Sequence, residues 1–140
     1  MKEISLQTNA RVEMIDVTSA VQKAVNEEKI ETGLCLIYTP HTTAAVTINE
    51  NADPDVPRDI LEALERAVPL RANYRHTEGN SAAHIKSSLV GASELVIIEN
   101  GRLILGTWQS IFFCEFEGFH TCKVIIKLIN TKQIKILSFK

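Results

Sequence analysis

The chain has 140 residues, of which 45% are hydrophobic and 23% are charged, and its formal net charge is −2. A chain of this length is typical of one globular domain, and it buries enough surface to fold without disulfides or structural metals. The basic excess with which proteins attract nucleic-acid phosphates is missing, so no nucleic-acid partner is expected.

The cysteines and the N-terminus indicate a cytoplasmic protein with no membrane partner. Cys35, Cys114 and Cys122 lie in apolar stretches without C-x-x-C spacing, which is typical of buried thiols in a reducing compartment. A Cys114–Cys122 disulfide is the alternative. The first ten residues lack the apolar segment of a signal peptide, and no apolar stretch approaches the ~20 residues that span a bilayer.

The first half of the chain predicts four strands and two helices. KEISLQT and RVEMIDV alternate apolar and polar residues on either side of Asn9-Ala10, which predicts a β-hairpin. A helix should follow, with a start at Asp16 or Thr18 and an end before Gly33. GLCLIYT and AAVTINE predict two further strands, and Pro54 and Pro69 bracket a second helix over 55–68. The predicted buried residues of the two helices are Val17, Ala20, Val21, Ala24 and Val25, then Ile60, Leu61, Leu64 and Val68.

The second half predicts one short helix and then strands. Asn80 or Ser81 can cap a helix over 81–90, which Gly91 would end. Asn100-Gly101 is a strong hairpin signal between ELVIIE and RLILGT. SIFFCEFE, CKVIIKLI and QIKILSF predict further strands, and 130–140 form a C-terminal extension or an edge strand. Hairpin-like clusters without a regular βαβ alternation predict a single α+β domain over 1–140, with a mostly antiparallel sheet and about three helices.

Polar residues concentrate in three segments where predicted elements end: PHTTAAVTINENADPD (40–55), YRHTEGNSAAHIKSSLVG (74–91) and LGTWQS (105–110). His41, His76 and His84 fall in the first two segments, and three imidazoles are the set that holds a catalytic zinc with one position open. Each histidine taken alone is also compatible with an ordinary hydrogen-bonded, partly buried side chain. His84 would lie in the first helical turn, where free N–H groups attract anions and neutral imidazole is favoured.

The acids and the tryptophan allow more than one interpretation. Asp53 and Asp55 suit capping of the second helix. Glu50 and Glu78 have no such structural role in the sequence, so they are the candidate general bases. Trp108 is more typical of a core or an interface than of a substrate platform.

The three segments together resemble the YjbQ family, an uncharacterised group also called UPF0047. The motifs are HTTA, EGN followed by AH and a lysine, and GTWQ, and the resemblance covers about residues 1–129. It implies a YjbQ-like α+β fold, a homotrimer, and polar segments that meet at one site near a subunit boundary. It also implies weak secondary thiamine-phosphate synthase activity, which joins a pyrimidine pyrophosphate to a thiazole phosphate.

Carried over by position, the resemblance implies a site with His41, His76 and His84 as metal ligands or acid/base groups. The polar residues around them would be Thr42, Thr43, Glu50, Glu78, Asn80, Lys86 and Gln109. We expect Glu50 and Glu78 to be catalytic and the other five to bind a small phosphorylated substrate. After FEG the family usually continues with Pro-Arg, whereas this chain has Phe119-His120, so a phosphate contact is lost or is replaced by His120.

Three functions remain open at this point: an enzyme acting on a phosphorylated metabolite, a metal-dependent hydrolase, and a non-enzymatic trimer that binds an anion or metabolite. Thiamine-phosphate synthases are (β/α)₈ barrels of typically ~250 residues, so any shared activity here needs an unrelated site. Three histidines favour Zn²⁺, whereas departure of pyrophosphate is better served by Mg²⁺ on oxygen ligands. The divalent metal therefore depends on the reaction.

Overall fold

A computed structural model describes residues 1–132 of the chain. Its helices are α1 (Thr18–Glu28), α2 (Asp55–Ala67) and α3 (Ser81–Val90). Its strands are β1 (Lys2–Gln7), β2 (Glu13–Asp16), β3 (Gly33–Tyr38), β4 (Ala44–Glu50), β5 (Ser93–Glu99), β6 (Arg102–Leu103), β7 (Gln109–Glu115) and β8 (Thr121–Asn130). Every strand pair is antiparallel, which confirms the predicted α+β domain with three helices.

The strands form two sheets, ordered β1-β8-β3-β5-β6 and β2-β7-β4. Three connections cross together from the first sheet to the second: β1 to β2, β8 to β7, and β3 to β4. Backbone hydrogen bonds continue across this crossing, from Thr8 N to His120 O (2.9 Å) and from Gly118 N to Arg11 O (2.8 Å). We call the place where the three connections run side by side the corner.

Gly118 makes the close approach at the corner possible. A Cβ added at this position would lie 1.8 Å from the carbonyl oxygen of Ala10, which is backbone and cannot move aside. Only glycine lacks that atom, so the connection between β7 and β8 can lie directly against the connection between β1 and β2.

The predicted hairpin of β1 and β2 is wrong. β1 pairs with β8 from Lys2–Ile126 to Gln7–Thr121, and β2 pairs with β7 in the other sheet. Alternation identifies a strand without identifying its partner, and here the chain changes sheets between the two strands. The Asn100-Gly101 hairpin is confirmed, with positive φ at both residues and β5 paired to β6.

Two apolar cores hold the layers together. The larger core lies between the sheets and α1, where Val21, Val25, Ile37 and Phe113 are fully buried. The smaller core packs the other face of the β2-β7-β4 sheet, through Phe112 and Cys114, against α2 and α3. α3 has the bounds predicted from the sequence, whereas α2 ends at Ala67 and has no fully buried residue. The predicted QIKILSF strand lies outside the described residues.

Within residues 1–132, no helix is both long enough and apolar enough to cross a membrane.

Candidate functional site

Three adjoining clefts run from the corner to the start of α3, and each is lined by at least one histidine. The first, which we call the His41 cleft, has a volume of about 320 Å³ and contains His41, Thr42, Thr43 and His120. The second, the middle cleft, is shared by His41 and Thr42 on one side and His84 on the other. The third, the His76 cleft, contains Tyr74, Arg75, His76 and His84. We call the three together the histidine groove.

His41 is held by the end of the β3–β8 ladder. β3 pairs with β8 only as far as Tyr38–Ile125, so the Lys123 N–H has no β3 partner. The Nε2 atom of His41 accepts that N–H at 2.9 Å. A ring nitrogen that accepts a hydrogen bond carries no proton, so the proton of a neutral His41 is on Nδ1, which then acts as a donor.

His84 lines both the middle cleft and the His76 cleft, and is therefore the central residue of the groove. Its ring meets that of His76 edge-on, with 5.6 Å between centroids. Glu78 approaches the same cluster, with its Oε2 atom 3.8 Å from Nε2 of His76. The predicted residues His76, Glu78 and His84 therefore do come together, and His41 reaches His84 through the shared middle cleft.

Lys86 has a different environment from His84. Its side chain is 1% exposed and its ammonium group pairs with Glu65 of α2. Arg11 binds the same carboxylate, with Nη2 at 2.6 Å from Oε2. Burial raises the pKa of Glu65, but the hydrogen bonds from Arg11 and Lys86 outweigh it, and the net pKa lies below the ordinary value of 4.5. The predicted phosphate ligand is thus engaged by a carboxylate in this structure.

Asn80 links α3 to the corner. It precedes the helix as predicted, but its side chain makes no capping hydrogen bond. Instead Nδ2 donates to Oε2 of Glu117 at 3.1 Å, and among the described residues the buried Oδ1 has no partner. Asn80 therefore ties the start of α3 to the connection between β7 and β8.

Glu50 and Gln109 lie at the opposite end of β4 from His41. They pair with each other across β4 and β7, and Gln109 accepts the Gly106 N–H at 2.7 Å. A strand rises ~3.3 Å per residue, so Glu50 lies roughly 20 Å from the His41 end. Trp108 is next to Gln109 and is 63% exposed, so it is not a core residue, and the alternative role at an interface stays a prediction. Within one chain the third polar segment does not join the histidine groove.

The sequence interpretation missed Glu115 and Thr8. Each has a relative exposure of 1%, and both lie at the corner next to His120, the residue noted as a replacement in the family pattern. The signal for Glu115 was available: it is an acid placed directly after an unbroken apolar run, IFFC, in a strand that reads as buried. Thr8 carried no signal, because its role depends on the sheet crossing.

The three cysteines are free and buried, as predicted, and the alternative Cys114–Cys122 disulfide is not formed. Burial raises the pKa of the Cys35 thiol to about 11 and that of Cys114 to about 12. Burial, together with the nearby Glu115 carboxylate, raises the pKa of Cys122 to about 12. None of the three is a reactive thiolate near neutral pH.

A metal site made of the three histidines stays a prediction. Among residues 1–132, no three His, Cys, Asp or Glu side chains are placed to hold a metal ion. Nε2 of His41, a usual ligand atom, is already used by the Lys123 N–H. As placed in one chain, the groove side chains can act as acid/base and hydrogen-bonding groups.

Fold and groove define the class: a single-domain α+β protein whose two antiparallel sheets share a corner lined by histidines. The sequence model described as UPF0047 protein YjbQ-like matches residues 2–131. The chain belongs to this family, as the resemblance in the sequence implied.

The relatives match over most of their length. The chain is 54% identical to UPF0047 protein YugU of Bacillus subtilis (strain 168), over 93% of this chain and 99% of that protein. It is 50% identical to UPF0047 protein MJ1081 of Methanocaldococcus jannaschii, over 91% and 92%. A crystal structure of an uncharacterized YjbQ/UPF0047 protein from Clostridium acetobutylicum superposes with a TM-score of 0.91, at 53% identity, covering 92% and 100% of the two chains.

Proposed function

We propose that this protein is an enzyme that acts on a small phosphorylated metabolite in the histidine groove, with activity resembling that of a secondary thiamine-phosphate synthase. One observation carries the proposal: His41, His84 and His76 line adjoining clefts, and His84 belongs to two of them. Imidazoles transfer protons near neutral pH, and hydroxyl groups such as those of Thr42 and Thr43 donate hydrogen bonds to phosphate.

The His76 cleft suits the organic part of such a molecule. Its walls include Tyr74 and Ile85, and Arg75 lies beside them as a cation for an anionic group. Ser81 begins α3 at this cleft, where free N–H groups and the helix dipole favour negative charge. Apolar walls with a few polar groups are the usual composition of a small-molecule site.

Pyrophosphate release tests this proposal. We would incubate the protein and Mg²⁺ with the pyrimidine pyrophosphate, with the thiazole phosphate, and with both. We expect release only when both substrates are present, and at least tenfold slower release by the His84→Ala variant, since a positioned acid/base group contributes ~10²–10⁴-fold. Lys23→Ala, on the exposed side of α1, is the control and should match the parent. Full activity in His84→Ala would contradict the role of the groove.

A metal-dependent hydrolase is the second candidate: His76 lies beside both Glu78 and His84, and a bound metal would have to draw these side chains together. It predicts pyrophosphate or phosphate release from one substrate alone. Elemental analysis of the purified protein should then find near-stoichiometric zinc, or another divalent metal, that is lost in His76→Ala. Absence of metal after dialysis against zinc would reject this candidate. The non-enzymatic alternative predicts ligand-induced stabilisation without turnover.

We further propose that the chain forms a homotrimer through the outer face of the five-stranded sheet. Leu34 of β3 stands opposite Ile97 of β5 and Ile129 of β8, and Leu36 stands opposite Leu95. Leu95 and Ile97 are 57% and 54% exposed. Contiguous apolar side chains on a sheet surface are typical of an interaction face.

Light scattering after size-exclusion chromatography tests the trimer. We expect about three times the chain mass for the parent and a smaller species for Ile97→Lys, because a buried lysine without a partner is costly. Leu89→Lys is the matched control: Leu89 is 66% exposed but lies on α3, away from the sheet face. A trimer that persists in Ile97→Lys would show that the interface does not include this sheet face.

A further inference from the structure

Glu115 is a buried carboxylate that lies beside the imidazole of His120. Its Oε1 atom accepts the Glu117 N–H at 3.0 Å, and its Oε2 atom accepts the Thr8 hydroxyl at 3.1 Å and the Cys122 thiol at 3.2 Å. Among residues 1–132, the basic side chain within 4 Å of this carboxylate is the His120 imidazole, whose Nδ1 atom is 3.7 Å from Oε2. A buried carboxylate is stabilised by hydrogen bonds and by a nearby counter-charge, and His120 is the neighbour that can supply that charge.

Thr8 fixes His120 in place. The Thr8 N–H donates to the His120 carbonyl at 2.9 Å, and the His120 N–H donates to the Thr8 hydroxyl at 2.8 Å. The Thr8 hydroxyl has one proton, and it donates that proton to Glu115, because a carboxylate is the stronger acceptor. The backbone of His120 is therefore held on both sides, while its ring is 51% exposed and lines the His41 cleft.

The His41 cleft otherwise offers hydrogen-bond donors. His41 presents Nδ1–H, as its tautomer requires, and the hydroxyls of Thr42, Thr43 and Thr121 line the same cleft. These groups suit the oxygen atoms of a phosphate, but none of them carries a fixed positive charge. His120 is the side chain that can supply that charge.

We propose that His120, held over the buried Glu115, is the cationic contact for the phosphate group of the ligand in the His41 cleft, and that its protonation controls anion affinity. The inference rests on the proposed function, because it assigns one group of the phosphorylated substrate to one cleft of the groove. Imidazoles change charge between pH 5 and 8. When the ring is neutral, the uncompensated Glu115 carboxylate repels the anion, so affinity falls as pH rises.

Other titratable and charged groups lie on the two segments that flank His120. Glu115 and Glu117 belong to the β7 side, and Cys122 and Lys123 belong to β8. The pKa of Cys122 is raised to about 12, so this thiol stays neutral across the range. His41 is the remaining imidazole of the cleft, and its Nε2 atom already accepts a hydrogen bond. A dependence on His120 should therefore disappear when His120 alone is replaced.

Sulfate is the probe, because its charge is constant between pH 6 and pH 8. Binding is followed by NMR shift titration at both pH values. We expect at least about tenfold tighter binding by the parent at pH 6 than at pH 8, since a hydrogen bond to a charged group contributes ~1.5–3 kcal/mol. His120→Gln should bind weakly at both pH values, and His120→Arg should bind well at both. Lys23→Gln, which removes an exposed cation on α1, should behave as the parent.

The outcomes separate this inference from the proposed function. Equal binding by the parent at both pH values, or a pH dependence that persists in His120→Gln, would overturn the role of His120 and leave the proposed function standing. No binding of sulfate or pyrophosphate by the parent at either pH would overturn both. Circular dichroism confirms that the variants are folded, and the gain expected in His120→Arg at pH 8 cannot result from unfolding.

Discussion

His84 and Lys86 are two residues apart on α3, yet they have opposite surroundings. A separation of two residues turns the helix by roughly 200°, so the two side chains lie on different faces. Lys86 is 1% exposed and pairs with Glu65, whereas His84 lines two open clefts. The sequence suggested one ligand-binding cluster from both residues. The structure separates them into one group that holds the helices together and one that is open to a ligand.

The largest effect is expected when Glu65 is removed. Glu65→Ala should lower the free energy of unfolding by about 3 kcal/mol, because it leaves the Lys86 ammonium group buried without its partner. Glu62→Ala, on the exposed side of α2, is the control and should change stability by less than about 0.5 kcal/mol. Urea unfolding measures both values. A loss as small as that of the control would mean that water reaches Lys86.

The double variant Glu65→Leu with Lys86→Met sharpens the comparison. Apolar side chains of similar volume often replace a buried ion pair with no loss of stability, so the double variant should recover most of what Glu65→Ala loses. It should also bind sulfate as the parent does, because Lys86 is engaged away from the histidines. Loss of sulfate binding would restore the predicted phosphate role of Lys86.

A smaller effect should appear on acidification. The pKa of Glu65 is lower in the folded protein than its ordinary value of 4.5, so its contribution to stability is complete above that value. It is lost as pH falls through the lower folded pKa. The parent should therefore lose stability more steeply than Glu65→Gln between pH 5 and pH 3, as measured by urea unfolding at each pH. Parallel curves would show that Glu65 is not responsible.

Local signals were sufficient for most elements of the fold. Gly91 at the end of α3 and Asn100-Gly101 in the hairpin are local signals that act over a few residues. Asn80 marks the start of α3 correctly, but its side chain bonds Glu117 and does not cap the helix. Strand partners were not accessible in this way. The chain crosses between sheets after β1, and the contact that accommodates the crossing involves Gly118, more than a hundred residues away.

The site was partly predictable for the same reason. His76 and His84 are close in sequence and meet across one short segment, so composition alone indicated the cluster. Glu115 and Thr8 meet only because three connections cross at the corner, and no local pattern encodes that. Glu50 was grouped with His41 because both belong to one polar segment. Glu50 and His41 lie at opposite ends of β4, and the length of this strand separates them.

Replacement of the groove histidines should separate function from stability. His76 is exposed and His84 is half-buried, so His84→Ala and His76→Ala should each cost about 1 kcal/mol or less in unfolding free energy. Pyrophosphate release should fall further in His84→Ala than in His76→Ala, because His84 lines two clefts. The rates of the two variants measured in parallel check this order. The reverse order would place the reaction in the outer part of the His76 cleft.

The smallest effect on stability, within about 0.5 kcal/mol, is expected for the exposed end of β4, in Glu50→Gln. Glu50 lies roughly 20 Å from the His41 end, so a catalytic Glu50 can act on the groove only from another copy of the chain. Inactive Glu50→Gln and His84→Ala chains are then mixed in equal amounts under subunit exchange. About a quarter of the parent rate should return, because half of the sites receive an intact His84 and half of those also receive an intact Glu50 from the other chain. Activity that stays at zero would mean that Glu50 does not complete the groove of another copy, and a fully active Glu50→Gln would remove Glu50 from catalysis.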